Sequence, residues 1–487
     1  MKSLERQAAE QTLLFDPLQD NSSIIHLLDR ATGDKSSVEV AIDTSDFKHR
    51  IQQDFPSQIA DIIDLAVAIH ASDRLTKQDP SRPQIQLHVV LPIRHPEILN
   101  QSSLHQQLCE LLEWATGKKW RFEFKQRSQL GRSIEIEPRL WDSDFEVPDV
   151  DEVLLWSGGL DALAGLYTRL KQSPTKTFSL FSSGSNDNNH KRQQDVFHAL
   201  QLLFPDQLSL CRARITFDKS NHYKKNPSAR ARGIVFMLLG SAYALLRGRK
   251  VLHVYENGIG AINLPYRKSA LGLDHSRSVH PETLRGVGLF ISELFGENFK
   301  VRNPFLFSTK TEMLRALAED ARTELASLTS SCDRRHRKPQ QPPQCGYCTS
   351  CILRKQSLAA SQLEDKACYI VPHGSCPTNY VRIYFDNMLE QVSTLRQRLN
   401  CSEQTVEQWK ALTHRFPELN DIVDRTRTEE GLTLPEMSQK LIRMFQAYVS
   451  EWEAVEPMIL QHFEKQWNTS LDVHKRQLSI QKELPLR

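Results

Sequence analysis

The sequence predicts an α/β fold: a doubly wound parallel sheet carrying a zinc-binding motif, with an N-terminal α+β extension and a C-terminal helical extension. Three observations predict it. From about residue 152 to 366, short apolar runs alternate with helical stretches, the pattern of a parallel sheet wound by crossover helices. Before that, several strand-like runs share the chain with two amphipathic helices. Beyond about 380 the apolar residues recur only at helical spacing. With 487 residues the chain is too long for a single core, and 39% hydrophobic residues suffice for several. The expected division is 1–150, an N-terminal α+β domain; 151–380, the sheet domain with its cysteine motif; and 381–487, a C-terminal helical domain.

Taken in order, residues 37–42 (SVEVAI), 85–93 (IQLHVVLPI), 120–125 (WRFEFK) and 134–137 (IEIE) read as strands by alternation or β-branched content. Residues 56–75 and 103–116 read as amphipathic helices. His70, His88, His95 and His105 are scattered there and read as packed or surface residues. In the second region, 153–156, 177–183, 209–217 and 251–260 read as strands. A polar loop at 184–190 leads to a helix ending near 204, and 226–249 reads as a long helix. Ligands of such sheets bind at the carboxyl ends of the strands. In the third region, an aromatic and aliphatic stripe at 432–460 reads as core or partner interface. The tail, 474–487, reads as polar and mobile.

Charge and cysteine usage narrow the function. The net charge is +3, too near balance to demand nucleic acid. No run of eighteen apolar residues spans a membrane, and the charged start lacks a signal core, so a cytoplasmic protein is expected. Nine cysteines, four of them clustered, favour metal ligation over disulfides in a reducing compartment.

The stretch 151–171 holds the candidate ligand site. A buried strand runs into Trp156, then Ser157, Gly158 and Gly159 form a tight turn, and a helix begins at Leu160 with Asp161 and Ala162 in its first turn. Converging backbone N–H groups and the helix dipole at such a place bind phosphate. The two glycines let the backbone approach a ligand. No Lys-Ser or Lys-Thr follows them, so the turn is not the kinase-type phosphate loop, nor has it the three spaced glycines of a dinucleotide site.

Cys332, Cys345, Cys348 and Cys351 form the second constellation. Four thiolates close a tetrahedral structural zinc site with no open position for Lewis-acid chemistry. Cys368 and Cys376 are alternative ligands without a C-x-x-C partner, and an iron–sulfur cluster is the alternative metal group. Among cations, Arg232 follows a helix start at Ser228, and Lys310 follows a Ser308-Thr309 cap. Lys224 and Lys225 read as solvated. Arg334, Arg335, Arg337 and Lys338 form a charge run in the cysteine loop that reads as solvated or as a surface for an acidic partner.

The pattern strand-SGGxD-helix resembles the pyrophosphate loop of PP-loop ATP pyrophosphatases. Taken together, SGGLD, Ser-x-Arg-x-Arg, NPFLFSTKTE and SC…CGYCTSCILR, in that order, resemble 7-cyano-7-deazaguanine synthase (QueC) over residues 152–358, roughly half the chain. The resemblance implies ATP binding by Trp156, Ser157, Gly158, Gly159, Leu160, Asp161 and Ala162, with Ser157 and both glycines on the pyrophosphate. It implies that Asp161 binds pyrophosphate through Mg2+ or a hydrogen bond. Arg232 and Lys310 would offset charge at the α-phosphate, and the four cysteines would hold Zn2+. The implied activity is an ATP-dependent carbon–nitrogen ligase that adenylates a deazaguanine-type carboxylate, releasing AMP and pyrophosphate. Removing Asp161 is then expected to stop turnover while sparing fold and zinc.

Two departures stand out. Ala162 replaces the family's Ser, and ENGIGAINLPYR (256–267) replaces its base-recognition stretch. The extended chain looks like the QatC-type, synthase-like subunits of bacterial antiphage defence systems. That implies other protein subunits as partners; the retained activation motifs and the changed stretch raise one hypothesis, an activated acid joined to a protein amine instead of ammonia, with the acceptor left open among ammonia, a protein amine and nucleic acid. The alternatives are a tRNA-thiolation-like PP-loop enzyme and a non-catalytic nucleotide-binding scaffold of a defence complex.

Overall fold

The computed structural model describes residues 9–457 except 20, 31, 49–54, 77–84, 129–147, 185–186, 219–225, 227–228, 267–276, 334–343, 371–378 and 456. The expected strand 134–137, the tail 474–487, Lys224, Lys225, Ser228, Cys376 and the charge run 334–338 lie outside the described residues.

The chain opens with strands β1 (Ala9–Phe15), β2 (Ser22–Asp29) and β3 (Lys35–Asp43), then helix α1 (Ser57–Leu75), β4 (Ile85–Ile93), α2 (Ser102–Thr116) and β5 (Lys119–Gln126). There follow β6 (Glu152–Leu155), α3 (Leu160–Gln172), β7 (Phe178–Ser183), α4 (Asp187–Leu203), β8 (Leu208–Phe217), α5 (Arg232–Leu246), β9 (Val251–His253), α6 (Pro281–Phe295) and β10 (Lys300–Arg302). Helices α7 (Lys310–Glu319), α8 (Thr349–Ala360), α9 (Asn379–Leu399), α10 (Thr405–Arg415), α11 (Glu418–Thr426) and α12 (434–455) come next.

Among the described residues, ten strands join one mixed sheet in the order β10-β9-β6-β7-β8-β3-β2-β1-β4-β5. The half from β10 to β8 is all parallel. Within it the chain steps outward from β6 to β7 and β8, then crosses back to β9 and β10 on the other side of β6. At β8 the sheet continues into the first region through antiparallel pairing with β3, Val40 opposite Phe217.

Both faces of the parallel half are covered, and the pleat sorts its side chains accordingly. Val153 and Leu155 of β6 face a core shared with α1, α5 and α6, whereas Leu154, with Trp156 beyond the strand end, faces a core shared with α3, α4 and α7. A third core joins α9–α12 to Ile352 and Leu353 of α8 and to Ala261–Leu264. The four cysteines and Tyr369 form a fourth. The histidines of the first region are structural in their contacts: His70 stacks on Phe217 at 5.7 Å, and the His88 side chain is buried. No helix of the described residues is long and apolar enough to cross a membrane.

One expected element is shorter than its sequence suggests. The helix read at 226–249 is α5, which starts at Arg232. The proline at 227 disfavours helix at Asn226, and Asn226 is bonded to the first region instead. Its N–H donates to the Arg74 carbonyl at 2.7 Å and its Nδ2 to the Asp73 carbonyl at 3.1 Å.

Candidate functional site

The turn after β6 is held from behind. Trp156 is fully buried, its Nε1 donating to the Gln193 carbonyl at 3.0 Å while Gln193 Nε2 donates to the Trp156 carbonyl at 3.2 Å. Gly158 has φ +68°, the left-handed region, and a Cβ there would lie 3.0 Å from Gln193 Cα. Only glycine fits both the dihedral and the space. Ser157 is exposed, and its Oγ accepts from Gly159 N at 3.2 Å. Gly159 is the N-cap of α3 and offers no side-chain cap. Leu160 and Ala162 point into the core. The first turn of α3 therefore presents backbone donors beside an exposed hydroxyl, next to the carbonyl of Ser330, 3.7 Å from where a Gly159 Cβ would stand. The segment entering the cysteine motif abuts the turn.

A buried charged centre sits beside it. Lys310 opens α7 behind a complete capping box, in which Glu312 N donates to Thr309 Oγ1 and Thr309 N to Glu312 Oε2. Lys310 Nζ donates to Asp161 Oδ2, and the two side chains are 5% and 12% exposed. Asn257 Nδ2 donates to the other oxygen of Asp161 at 3.0 Å and to Glu256 Oε1 at 2.8 Å. Burial pushes the Glu256 carboxyl up to about 8; the Asp161 carboxylate adds to this and the Lys310 ammonium opposes it. The sheet order explains the meeting. β6 and β9 are neighbours whose continuations depart to opposite sides, so residues following each strand converge at the crevice.

Asp161 and Lys310, expected from sequence, are thus brought together with Glu256 and Asn257, which sequence reasoning missed. The signal was an acid and an amide just beyond a strand end. Arg232 is the first residue of α5 and is exposed.

The four cysteines also converge. Their sulfurs all lie within 4.8 Å of one another. Cys345 and Cys351 sulfurs are 3.9 Å apart, and Cys348 and Cys332 sulfurs 3.8 Å. A tetrahedron with Zn–S bonds of about 2.3 Å has edges of about 3.8 Å, so the donor set fits zinc. Gly346, at φ +85°, makes the tight turn. Cys348 N donates to Cys345 Sγ at 3.2 Å and Tyr347 N at 3.5 Å, while Cys345 N donates to Cys332 Sγ at 3.4 Å. Cys368 is exposed and stands outside this cluster of four.

Two buried cations anchor the centre. Arg354, fully buried, donates to Thr329 Oγ1 at 2.6 Å, the Ala326 carbonyl at 2.8 Å and Tyr369 Oη at 3.2 Å, tying α8 to the chain before and after the motif. Lys355 donates to the Gly346 carbonyl at 3.1 Å over the Tyr369 ring; burial lowers it to about 8 against the pull of the cysteines and Asp365. Ser350 Oγ donates to the exposed Asp333 carboxylate, next to Cys332.

Residues 281–362 match the model of the family Queuosine biosynthesis protein QueC. The QueC match runs from α6 through α8 and includes Lys310 and all four cysteines. It supports a QueC-like, PP-loop superfamily relationship and, with it, an ATP-using enzyme of that class. The phosphate-type turn lies before the matched stretch. No curated protein matches the chain.

Proposed function

We propose that the protein binds ATP at Trp156–Ala162, on a doubly wound PP-loop sheet, and adenylates a deazaguanine-type carboxylate. The observation that carries this reading is the Asp161–Lys310 pair at the β6–β9 crevice, with Asp161 in the first turn of the helix that the glycine turn opens. The outward-and-back strand order supports the doubly wound reading, and the QueC match supports the class of chemistry. In the reaction, a carboxylate oxygen attacks the α-phosphorus and the bond to the β-phosphate oxygen breaks, releasing pyrophosphate. Ser157, Gly158 and Gly159 would hold the outer phosphates, and Asp161 would engage them through Mg2+ or a hydrogen bond. Lys310 and Arg232 offset the charge that grows at the α-phosphate. An amine then attacks the acyl carbon, AMP leaves, and the nitrogen loses a proton. Zn2+ on Cys332, Cys345, Cys348 and Cys351 is structural.

The chain is read as three units, 1–150, 151–380 and 381–487, of a cytoplasmic, QatC-type subunit in antiphage defence, its acceptor an amine of a partner protein. The test is incubation of the full chain with ATP, Mg2+ and the deazaguanine acid. AMP and pyrophosphate should appear in equal amounts, dependent on the acid. Absence of both, alone and with partner subunits, overturns the reading.

A further inference from the structure

Lys310 is also held from its far side, by the C-terminal helices. Helix α12 lies across the segment that carries it. Thr309 Oγ1 donates to Glu451 Oε1 at 2.5 Å, and Thr311 Oγ1 donates to Glu451 Oε2 at 2.8 Å. One carboxylate thus grips the residues on both sides of Lys310. One turn pair earlier in α12, Arg443 donates to both oxygens of Glu312, the second half of the capping box, and to the Phe307 carbonyl. Met444 closes the other wall, since a Cβ on Gly258 would lie 2.3 Å from its Sδ and 1.9 Å from the Leu306 carbonyl oxygen. Gly258 N donates to the Ser308 carbonyl at 2.8 Å, locking the Asn257 segment to the Lys310 segment.

Lys has four rotatable bonds and little directional preference. Its ammonium is placed only as well as the backbone beneath it. Thr309 is fully buried and its hydroxyl has two duties, accepting from Glu312 N and donating to Glu451. Without Glu451 the hydroxyls of Thr309 and Thr311 lose their acceptor, and the capping turn keeps only the Arg443 bonds to Glu312 and the Phe307 carbonyl as its polar tie to α12.

We infer that Glu451 is a positioning residue: through Thr309 and Thr311 it fixes the backbone from which Lys310 reaches Asp161. The catalytic consequence rests on the adenylation reading above; the placement of Lys310 does not.

The experiment uses the full chain as wild type, Glu451→Ala and Glu451→Gln. In the first arm, amine labelling with acetic anhydride is read residue by residue in a mass spectrometer. Lys310 should be protected in the wild type and label several-fold faster in Glu451→Ala, with exposed Lys250 unchanged as control. Equal labelling of Lys310 in the two proteins overturns the inference. In the second arm, AMP formation is followed. A small displacement of a charged group costs on the order of 10- to 100-fold in rate, so kcat should fall by that range in Glu451→Ala while KM for ATP stays within about threefold. Glu451→Gln, which keeps one acceptor oxygen, should recover part of the loss and keeps the test open if the alanine variant fails to fold. Unchanged kcat in both variants also overturns the inference. If the wild type forms no AMP, the adenylation reading fails and the labelling arm still decides the role of Glu451.

Discussion

Removing Asp161 should do more than stop turnover. In sequence it reads as a ligand for phosphate, expendable to the fold. In the structure its carboxylate is the counter-charge to an ammonium that is 5% exposed. Asp161→Ala strands that ammonium, and breaking a buried pair from one side costs about 3–5 kcal/mol. Lys310→Met strands the carboxylate instead, with its Asn257 bond left to it, and should cost a similar amount. The double variant removes both charges and the desolvation that went with them. It should be no less stable than either single, giving a coupling of about 3 kcal/mol or more in the cycle. For a chain of 487 residues each kcal/mol moves the thermal midpoint by about 1 °C. The singles should therefore melt about 3–5 °C below wild type, and the double should not melt lower. Calorimetry on the four proteins, each checked for equal zinc, makes the comparison. Additive losses, with coupling under about 0.5 kcal/mol, refute the buried pair and with it the crevice geometry.

Three further outcomes follow from particular contacts. Elemental analysis should find one zinc per chain, and Cys348→Ser should release it and open residues 344–370 to limited proteolysis, since a structural metal contributes folding energy directly. Gly158→Ala should cost about 1–2 kcal/mol for the left-handed backbone alone and should weaken ATP binding by calorimetry, because the added methyl meets the Gln193 backbone. His280 caps α6 by accepting from Glu282 N at Nδ1, and burial, helped by the Arg277 charge, lowers its pKa to about 3. The folded value is depressed, so its contribution is present above the unfolded value of about 6.5 and is lost as pH falls toward 3. His280→Asn keeps a capping side chain and should flatten the stability curve of the wild type between those values.

How much of this was legible in sequence depends on how local each feature is. β4 begins and ends where its β-branched run does, at Ile85 and Ile93. The glycine turn and the cysteine spacing were readable because their chemistry lies within a few residues. β1 was not: Ala9–Phe15 follows a charged, helix-favouring start and is a strand through its pairing with β2 on one side and β4 on the other. β10 is three residues long and is marked only by its partner β9. Glu256 and Asn257 lie more than ninety positions from Asp161, and the crossover from β8 to β9 alone brings them to it. Glu451 is more remote still from Asp161, and nothing in its own neighbourhood of α12 distinguishes it from a solvated helix acid.

The two flanking regions have a common physical role that their sequences do not advertise. Each ends on the backbone beneath a cation of the proposed site. On the N-terminal side, the buried Asp73 of α1 accepts from Lys118 Nζ at 2.7 Å and from Ala231 N at 2.7 Å. It therefore holds the backbone N–H of Ala231, the N-cap residue without a capping side chain, at the turn from which Arg232 projects. On the C-terminal side, Glu451 and Arg443 of α12 fasten the cap from which Lys310 projects, and Gln391 of α9 donates to the Leu264 carbonyl at 2.8 Å, in the stretch that departs from the deazaguanine synthase pattern. A carboxylate anchors the turn in each case, and each turn leads into a helix at the carboxyl edge of the parallel strands. Cutting away either region would strip those turns of their hydrogen-bond partners, even though neither region contributes a residue to the glycine turn. The flanks should accordingly be treated as parts of the site's framework, and a minimal version built from residues 151–380 alone should bind zinc yet hold Arg232 and Lys310 poorly.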